Sequence, residues 1–470
     1  MARIVIVGSG VVGLGLGMML AKDGHDVLQL ERDLEPPPEG LEEAWTEWQR
    51  RGVAQLRLGH VFLPRWRSIV ESELPEVLPA LRKAGALCTN PLLAAPAQFH
   101  GGARPGDERY EMVTGRRVLV EKVVAEQAER TPGLTVRRGT AVTGLLTGPS
   151  VMSAVPHVTG VRTEDGSEIT ADVVVDASGR RSALPSWLVA LGARPPLEEA
   201  EDSGLVYYGR HYRSVNGSMP GLLGGAIQNH GSVSSLTLAA DNRHWAVVVA
   251  TRADDAALRR LKDVGTWEKV VRSFPTVAHW LDGEPVEERI VLMSKIEDRI
   301  RHLRLEGRPL ATGLLVVADA WACTNPSLGR GASIGTMHAL VARDCLRQAD
   351  GPADLAEAYA TATSEVMEPW YKATLAFDRA RLDEMGRIAD RVPGHEPPPD
   401  YDMARSLEAS SLKDPDCFRA MLDILFVHDL PDSVFSRPGL RDKVTALGGG
   451  WRSQPSFGPD RQALIDLANS

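Results

Sequence analysis

The chain has 470 residues, of which 43% are hydrophobic and 24% are charged, and its formal net charge is −9. This length allows about three structural units, and the hydrophobic fraction is enough for a folded core. The acidic balance argues against nucleic acid and anionic membrane surfaces as partners, because it provides no general attraction to phosphate groups.

The four cysteines lie far apart and show neither a disulfide pattern nor the spacing of metal ligands. We therefore expect no metal site and a cytoplasmic location. The most apolar stretch, residues 4–21, contains five glycines. It predicts a buried strand followed by a buried helix, and no integral membrane segment.

A glycine-rich turn follows the first predicted strand, residues 3–7. Gly8, Gly10 and Gly13 form the pattern Gly-x-Gly-x-x-Gly, and a predicted helix begins at Val11. The first glycine permits a tight turn, the second lets the backbone approach a pyrophosphate, and the third lets the helix pack closely on the strand. The helix N-terminus would then face the phosphates.

The second predicted strand, residues 27–30, ends in Glu31 and Arg32. A carboxylate at this end of the strand can accept hydrogen bonds from both hydroxyls of an adenosine ribose, and it favours FAD or NAD over NADP. The pattern therefore predicts a dinucleotide site at Gly8, Gly10, Val11, Gly13, Glu31 and Arg32. The alternative is a glycine turn with only a structural role.

Further along the chain, residues 115–130 predict a helix and residues 135–137 a strand. Apolar runs at residues 158–163 and 168–176 flank a hairpin turn. Residues 203–300 alternate in polarity, which is typical of an antiparallel sheet. A buried strand returns at residues 314–318, and a long helix at 332–347; the last 120 residues are mostly helical, with a Pro-rich break at 392–400.

These patterns predict an α/β fold in which a Rossmann-like unit is interrupted by an inserted, largely antiparallel β-sheet. The expected nucleotide-binding domain is discontinuous and consists of residues 1–200 and 301–350. Residues 201–300 are expected to form the inserted substrate domain, and residues 351–470 the helical C-terminal region.

Residues 314–335, LLVVADAWACTNPSLGRGASIG, resemble the motif with which group A flavoprotein monooxygenases, of the para-hydroxybenzoate hydroxylase fold, hold the ribityl chain and pyrimidine edge of FAD. Ala318 replaces the usual glycine, whereas five other positions match. The resemblance implies that Asp319 accepts a hydrogen bond from a ribityl hydroxyl. It also implies that the backbone N–H groups of residues 329–333 face the flavin N1 and C2 carbonyl. The motif therefore adds Pro326, Gly329, Gly331, Ala332 and Ser333 to the predicted cofactor site.

Two other segments resemble the same family. The pattern Arg117-x-x-Val120-Glu121 is similar to its R-x-x-L-E helix, and residues 172–184 are similar to its D-G motif, with two residues inserted. The resemblance implies that Arg117, Val142 and Asp176 contact FAD. The alternatives are a solvated helix charge for Arg117 and a turn residue at a strand end for Asp176.

Residues 52–60 and 173–188 look like the branch of the family that is related to squalene epoxidase and to bacterial natural-product epoxidases. The family reaction implies that NADH or NADPH reduces FAD, that molecular oxygen forms a flavin C4a-hydroperoxide, and that one oxygen atom enters an apolar small molecule by epoxidation or hydroxylation. A separate reductase is an open possibility. No catalytic side chain is expected, because the flavin carries the chemistry.

Three residues are candidates for the substrate side. The resemblance implies that His60 packs beside the isoalloxazine, although a structural interhelical histidine is the alternative. Alternation along a predicted strand sends Tyr208 and Arg210 to one face of the inserted sheet, together with Tyr212. That face either covers the substrate or is an ordinary amphipathic sheet face.

Other functions compete with the monooxygenase. A dehydrogenase or reductase of the geranylgeranyl-reductase type shares both cofactor motifs. A flavin-dependent halogenase is disfavoured, because it needs a lysine early in the domain and residues 35–80 contain none. A protein that binds nucleotide without catalysis would not explain the contacts predicted around the reactive end of the flavin.

Overall fold

The computed structural model describes residues 1–53, 55–390, 397–453 and 458–470. Residue 54 of the segment 52–60, and part of the predicted break at 392–400, therefore lie outside the described residues. The fold is mixed α/β, as predicted. The positions of the domain boundaries stay a prediction.

A five-stranded parallel sheet forms the centre of the nucleotide-binding part. The two predicted N-terminal strands are adjacent in it, and their β-branched residues are buried on both faces, as expected for a covered parallel sheet. Across the sheet, the strands are Leu314–Val316, Val173–Asp176, Arg3–Val7, Asp26–Leu30 and Leu134–Arg137.

Different layers cover the two faces of this sheet. Three helices pack on one face, at Val11–Lys22, Arg117–Glu129 and Gly331–Gln348. On the other face lies an antiparallel sheet of three strands, Val142–Met152, Val155–Thr163 and Glu168–Thr170. The predicted hairpin turn is present. The run predicted as one strand at 168–176 divides, because its first part pairs in the hairpin and its second part in the parallel sheet.

The segment between the second and third parallel strands is mostly helical. Its helices are Leu41–Glu47, Pro64–Glu73, Val77–Ala84, Pro91–Ala94 and Ala97–His100. They surround a small antiparallel sheet of Val61–Phe62, Met112–Thr114 and Leu87–Thr89.

The inserted sheet is antiparallel throughout, as the alternating pattern predicts. Its strands are Leu205–Arg213, Ile227–His230, Val233–Ala239, His244–Arg252, Glu284–Pro285 and Val291–Met293. The helices Val264–Arg272 and Arg461–Asn469 cover its outer face. A second antiparallel sheet, of Leu197–Asp202, Glu297–His302 and Ala322–Cys323, lies where the chain enters and leaves the insertion.

The C-terminal region is helical where it is described. After a helix at Pro352–Ala362 and a π-helical turn at Thr363–Met367, its longest helix is Glu368–Asp390. The following helices are Pro399–Ser411, Pro415–Leu425, Pro431–Phe435 and Leu440–Gly448. A helix at Leu184–Ala190 and a two-stranded hairpin, Arg304–Leu305 with Arg308–Pro309, complete the main elements. Of the helices described, none is both long and apolar enough to cross a bilayer.

Candidate functional site

A cavity of about 2780 Å³, here called the central cavity, lies between the parallel sheet, the inserted sheet and the C-terminal helices. Gly10 of the glycine turn lines it at one end. Asp319 and Gly329 of the second predicted motif line it further along. The two motifs are about three hundred residues apart in the chain, and they border the same space.

The glycine turn has the geometry that its spacing predicts. Gly8 has φ of +98°, and a Cβ there would lie 2.7 Å from the carbonyl oxygen of Ala177. A Cβ on Gly13 would lie 2.7 Å from the carbonyl oxygen of Gly8, whereas a Cβ on Gly10 would meet no atom within 4 Å. Gly8 and Gly13 are therefore needed for packing, while Gly10 leaves the backbone open to a phosphate-sized group.

Glu31 is buried at the end of its strand and already has protein partners. Its carboxylate accepts hydrogen bonds from Ser9 N at 3.1 Å and Asp33 N at 3.0 Å, and from the Ser9 hydroxyl. Burial alone would raise the pKa of Glu31, but the charge of Arg50 and these donors lower it overall. The Glu31 carboxylate is therefore ionised. Its Oε2 accepts both bonds from Ser9, whereas its Oε1 accepts only the bond from Asp33 N.

Arg50 is a residue of this site that sequence reasoning missed. Its buried guanidinium lies 3.2 Å from Glu31 and 3.3 Å from Glu121, and it donates to the carbonyl oxygen of Ser9 at 2.9 Å. Its Nε makes no hydrogen bond within the described part of the chain. Nothing in the sequence separates Arg50 from the neighbouring Arg51, because the contacts come from folding and not from a spacing.

Asp319 has the geometry of an acceptor for a ligand. Its side chain lines the central cavity, and no hydrogen bond to its carboxylate is found among the described residues. Burial raises the pKa of this carboxyl, and the positive charges of Arg180, Arg117 and Arg299 oppose that rise. A ribityl hydroxyl would supply the missing donor.

Ala318, which replaces the family's glycine, has φ of +54°. This left-handed conformation costs a residue with a Cβ about 1–2 kcal/mol. The same conformation explains why the related motif carries glycine here, since glycine adopts it without that cost. The strained residue, Ala318, directly precedes Asp319 in the sequence.

The loop of residues 326–331 leads into the helix Gly331–Gln348. Gly329 has φ of +66°, and the first intrahelical bond is donated by Ile334 N to the Arg330 carbonyl. The preceding N–H groups at the helix start are left for a ligand. Of the predicted residues here, Pro326, Gly329, Gly331 and Ala332 line the central cavity. Ser333 is fully buried beneath them, and its hydroxyl has no partner in the described chain.

Arg117 and His60 meet at the cavity wall. The Arg117 guanidinium forms an ion pair with Glu121 at 2.6 Å and packs over the ring of Phe62. It also contacts the His60 imidazole, and both residues line the central cavity. Arg117 is therefore buried and held, and the alternative of a solvated helix charge is wrong. Val142 and Arg32 also line the cavity.

Asp176 is placed differently from the prediction. It is fully buried, does not line the central cavity, and accepts hydrogen bonds from Ser178 N at 3.0 Å and from the Ser178 and Ser182 hydroxyls. Its role is to hold the turn that follows a strand, which was the alternative interpretation.

For the face of the inserted sheet that carries Tyr208, the structure agrees with the second of the two interpretations, an ordinary amphipathic sheet face. Tyr208, Arg210 and Tyr212 share a face, but that face packs against the outer helix, where Arg210 pairs with Glu268 at 2.8 Å. Tyr207, on the opposite face, lines the central cavity. Alternation shows which residues lie together, but it does not show which face is turned toward the cavity.

Comparisons with known proteins support this description of the fold. No family model matches the sequence. Protein Rv3254 of Mycobacterium tuberculosis is 24% identical over 412 residues, which cover 82% of this chain and 82% of that protein.

Among solved structures, PqsL of Pseudomonas aeruginosa, described as a probable FAD-dependent monooxygenase, has a TM-score of 0.59 at 16% identity, over 82% of this chain and 97% of that one. The Diels-Alderase PyrE3 of pyrroindomycin biosynthesis has a TM-score of 0.58 at 18% identity, over 90% and 80%. The anhydrotetracycline hydroxylase OxyS of Streptomyces rimosus has a TM-score of 0.54 at 17% identity, over 91% and 76%. The chain therefore has the fold of the group A flavoprotein monooxygenases.

Proposed function

We propose that the protein is an FAD-dependent monooxygenase that transfers one oxygen atom from molecular oxygen to an apolar small molecule. The observation that carries this proposal is the central cavity, which is bordered by both nucleotide motifs and continues beyond them between apolar walls. NADH or NADPH would supply the electrons, directly or through a separate reductase. Cytoplasmic location and the three-part domain division belong to the same proposal.

The residues present fit FAD. The open backbone at Gly10 suits a pyrophosphate, and the free carboxylate of Asp319 suits a ribityl hydroxyl. Bound FAD would supply the redox chemistry, and the chain would bind it, orient it and exclude water. The proposed contacts are Gly8, Gly10, Val11, Gly13, Glu31, Arg32, Arg117, Val142, Asp319, Pro326, Gly329, Gly331, Ala332 and Ser333.

The substrate would lie between the inserted sheet and the long C-terminal helix. Leu238 and Val248 line the cavity from the sheet, and Phe377 and Ala380 line it from the helix. Ligand pockets usually have volumes of about 300–1,000 Å³, so this cavity has room for a substrate beside the cofactor. The apolar walls favour a hydrophobic substrate, and we propose epoxidation or hydroxylation in a natural-product pathway. OxyS and PyrE3, named for a tetracycline and a pyrroindomycin respectively, support that setting.

The first test is flavin content and oxygen use. The purified protein should be yellow, release FAD on denaturation, and consume oxygen when it oxidises NADH or NADPH in the presence of a flavin-reducing system. A colourless protein that does not take up FAD would contradict the proposal.

The second test identifies the reaction with ¹⁸O₂. A library of apolar polycyclic and isoprenoid compounds should yield a product that carries one labelled oxygen atom. Substrate oxidation without label would indicate the dehydrogenase or reductase. Conversion without oxygen or reductant would indicate a reaction such as the one for which PyrE3 is named.

A further inference from the structure

Two separate hydrogen bonds connect the loop before residue 331 to the inserted sheet and to the long C-terminal helix. The Tyr207 hydroxyl donates to Asn325 Oδ1 at 2.7 Å. Two residues on, the Ser327 hydroxyl donates to Asp378 Oδ1. Tyr207, Asn325 and Ser327 line the central cavity, and Asp378 is buried.

Two polar atoms of these four side chains have no hydrogen-bond partner in the described residues. They are Asn325 Nδ2 and Asp378 Oδ2, and both are buried. The Asn325 amide is near enough to Asp378 to lower the pKa of that carboxyl. A buried polar atom without a partner is costly, so a small adjustment that pairs the Asn325 amide with the Asp378 carboxyl is favourable.

Opposing effects act on the pKa of Asp378: burial and Asp298 raise it, whereas the Ser327 hydrogen bond and Arg330 lower it. Burial is the largest effect and, with the charge of Asp298, raises the pKa of Asp378 to about 7. Arg330 opposes this rise, but its guanidinium bonds to Thr374 and to the Ile424 carbonyl and makes no ion pair with Asp378. Asp298 accepts a hydrogen bond from Asn325 N and has a pKa raised to about 6, mainly by burial.

The Asn325 amide can bond in two orientations, because its oxygen and nitrogen exchange places on a half rotation without a change of shape. When Asp378 is ionised, Asn325 Nδ2 donates to it and Asn325 Oδ1 accepts from Tyr207. When a proton binds Asp378 Oδ2, that new O–H donates to Asn325 Oδ1, and the rotated Nδ2 donates to the Tyr207 oxygen. The Tyr207 proton is then free to point elsewhere.

We propose that Asp378 and Asn325 are positioning residues that set the hydrogen-bond direction of Tyr207, so that proton uptake by Asp378 makes Tyr207 a donor toward the central cavity. Tyr207 itself stays neutral, because burial and the nearby carboxyl groups of Asp378 and Asp298 raise its pKa well above the usual value. When Asp378 is protonated, Tyr207 would donate a hydrogen bond to a carbonyl or phenolic oxygen of a ligand beside it. When Asp378 is ionised, this hydrogen bond would be absent.

The test uses the full-length protein labelled with ¹³C at the tyrosine ζ carbon, whose chemical shift reports whether the hydroxyl donates or accepts. The chain has seven tyrosines, and Tyr207→Phe assigns the signal. In the wild type we expect the Tyr207 signal to move between pH 5.5 and 8.5, with a midpoint near 7. In Asp378→Asn, whose amide imitates the protonated acid, the signal should stay at its acidic position.

Two control variants separate this proposal from a general structural effect. Tyr208→Phe alters the neighbour on the opposite face and should leave the titration unchanged. Asp298→Asn removes a repelling charge and should lower its midpoint without abolishing it. A Tyr207 signal that is flat in the wild type overturns the proposal, whether or not the variants fold, as does a titration with its midpoint near 7 that persists in Asp378→Asn.

Discussion

Arg117 Nη1 lies 2.9 Å from His60 Nε2 at the wall of the central cavity. A guanidinium only donates hydrogen bonds, so Nε2 must accept and the imidazole proton must be on Nδ1. Burial, followed by the charge of Arg117, lowers the pKa of His60 well below its usual value. His60 is therefore a neutral side chain whose Nδ1–H can donate to a cofactor or substrate.

Replacement of Arg117 by Met should raise the pKa of His60, because it removes a positive charge in direct contact with the ring. In the wild type the unfolded chain binds a proton near pH 6.5 that the folded chain excludes, so stability decreases as the pH falls through about 6.5. This decrease should be smaller in Arg117→Met. NMR titration of the imidazole, with urea unfolding at several pH values, measures both effects. Arg162→Met, at an exposed ion pair with Glu168, is the control; an unchanged His60 midpoint in Arg117→Met would contradict the assignment.

Replacement of Asp319 by Ala should weaken FAD binding without weakening the apoprotein. A hydrogen bond to a charged group contributes about 1.5–3 kcal/mol, which corresponds to about a 10- to 150-fold loss of affinity. Since no protein group bonds to this carboxylate in the described chain, the melting temperature without FAD should not fall. Flavin fluorescence titration of the apoprotein gives the affinity. Asp165→Ala, in an exposed hairpin turn, should bind FAD normally, and equal affinity in both variants would remove Asp319 from the site.

Gly10 and Gly13 should respond differently to replacement by Ala. Gly10 has φ of −74° and open space around its Cβ position. Gly10→Ala should therefore fold with normal stability and lose FAD, because the methyl group fills the space for the pyrophosphate. In Gly13→Ala the new Cβ would meet the Gly8 carbonyl at 2.7 Å, so unfolding should occur at lower temperature even without FAD. Thermal unfolding of both apoproteins separates the two effects; retention of FAD by Gly10→Ala would contradict this role for the turn.

The parts of the fold that sequence reasoning predicted have local causes. The Gly8 turn requires positive φ, and the strand at residues 3–7 is β-branched because both of its faces are covered. Such requirements restrict the residue type at a fixed position, and this restriction can be seen in the sequence. Asp319 and Gly329 belong to the same class, since their loop must present backbone N–H groups and a carboxylate to one space.

The parts that it missed depend on contacts across the chain. Arg50 bonds to Glu121, 71 residues away, and Tyr207 bonds to Asn325, 118 residues away. Neither the hydrophobic period nor the spacing of residues along the sequence indicates such long-range contacts. Periodicity grouped Tyr208 with Arg210 correctly, yet only the packing of the outer helix decides that this face is turned from the cavity. Asp378 carried no sequence signal, because an acidic residue on a helix normally faces water.

A buried ion pair joins the nucleotide-binding part to the inserted sheet and allows a test of that junction. Arg116 Nη2 lies 2.9 Å from Asp241 Oδ2, both side chains are fully buried, and Arg116 N also donates to Asp241 Oδ1. Removal of one partner leaves the other charge uncompensated, so Arg116→Met should lower the free energy of unfolding by about 3–5 kcal/mol.

The double variant Arg116→Met with Asp241→Asn should recover part of this loss, because the amide oxygen still accepts from the backbone N–H and no charge is left buried. Urea unfolding of the apoproteins measures the free energy of unfolding of the wild type and of both variants. Arg213→Met breaks an exposed pair with Glu284 on the same sheet and should cost less than about 1 kcal/mol. If Arg116→Met cost no more than Arg213→Met, the Arg116–Asp241 pair would not hold the inserted sheet against the nucleotide-binding part.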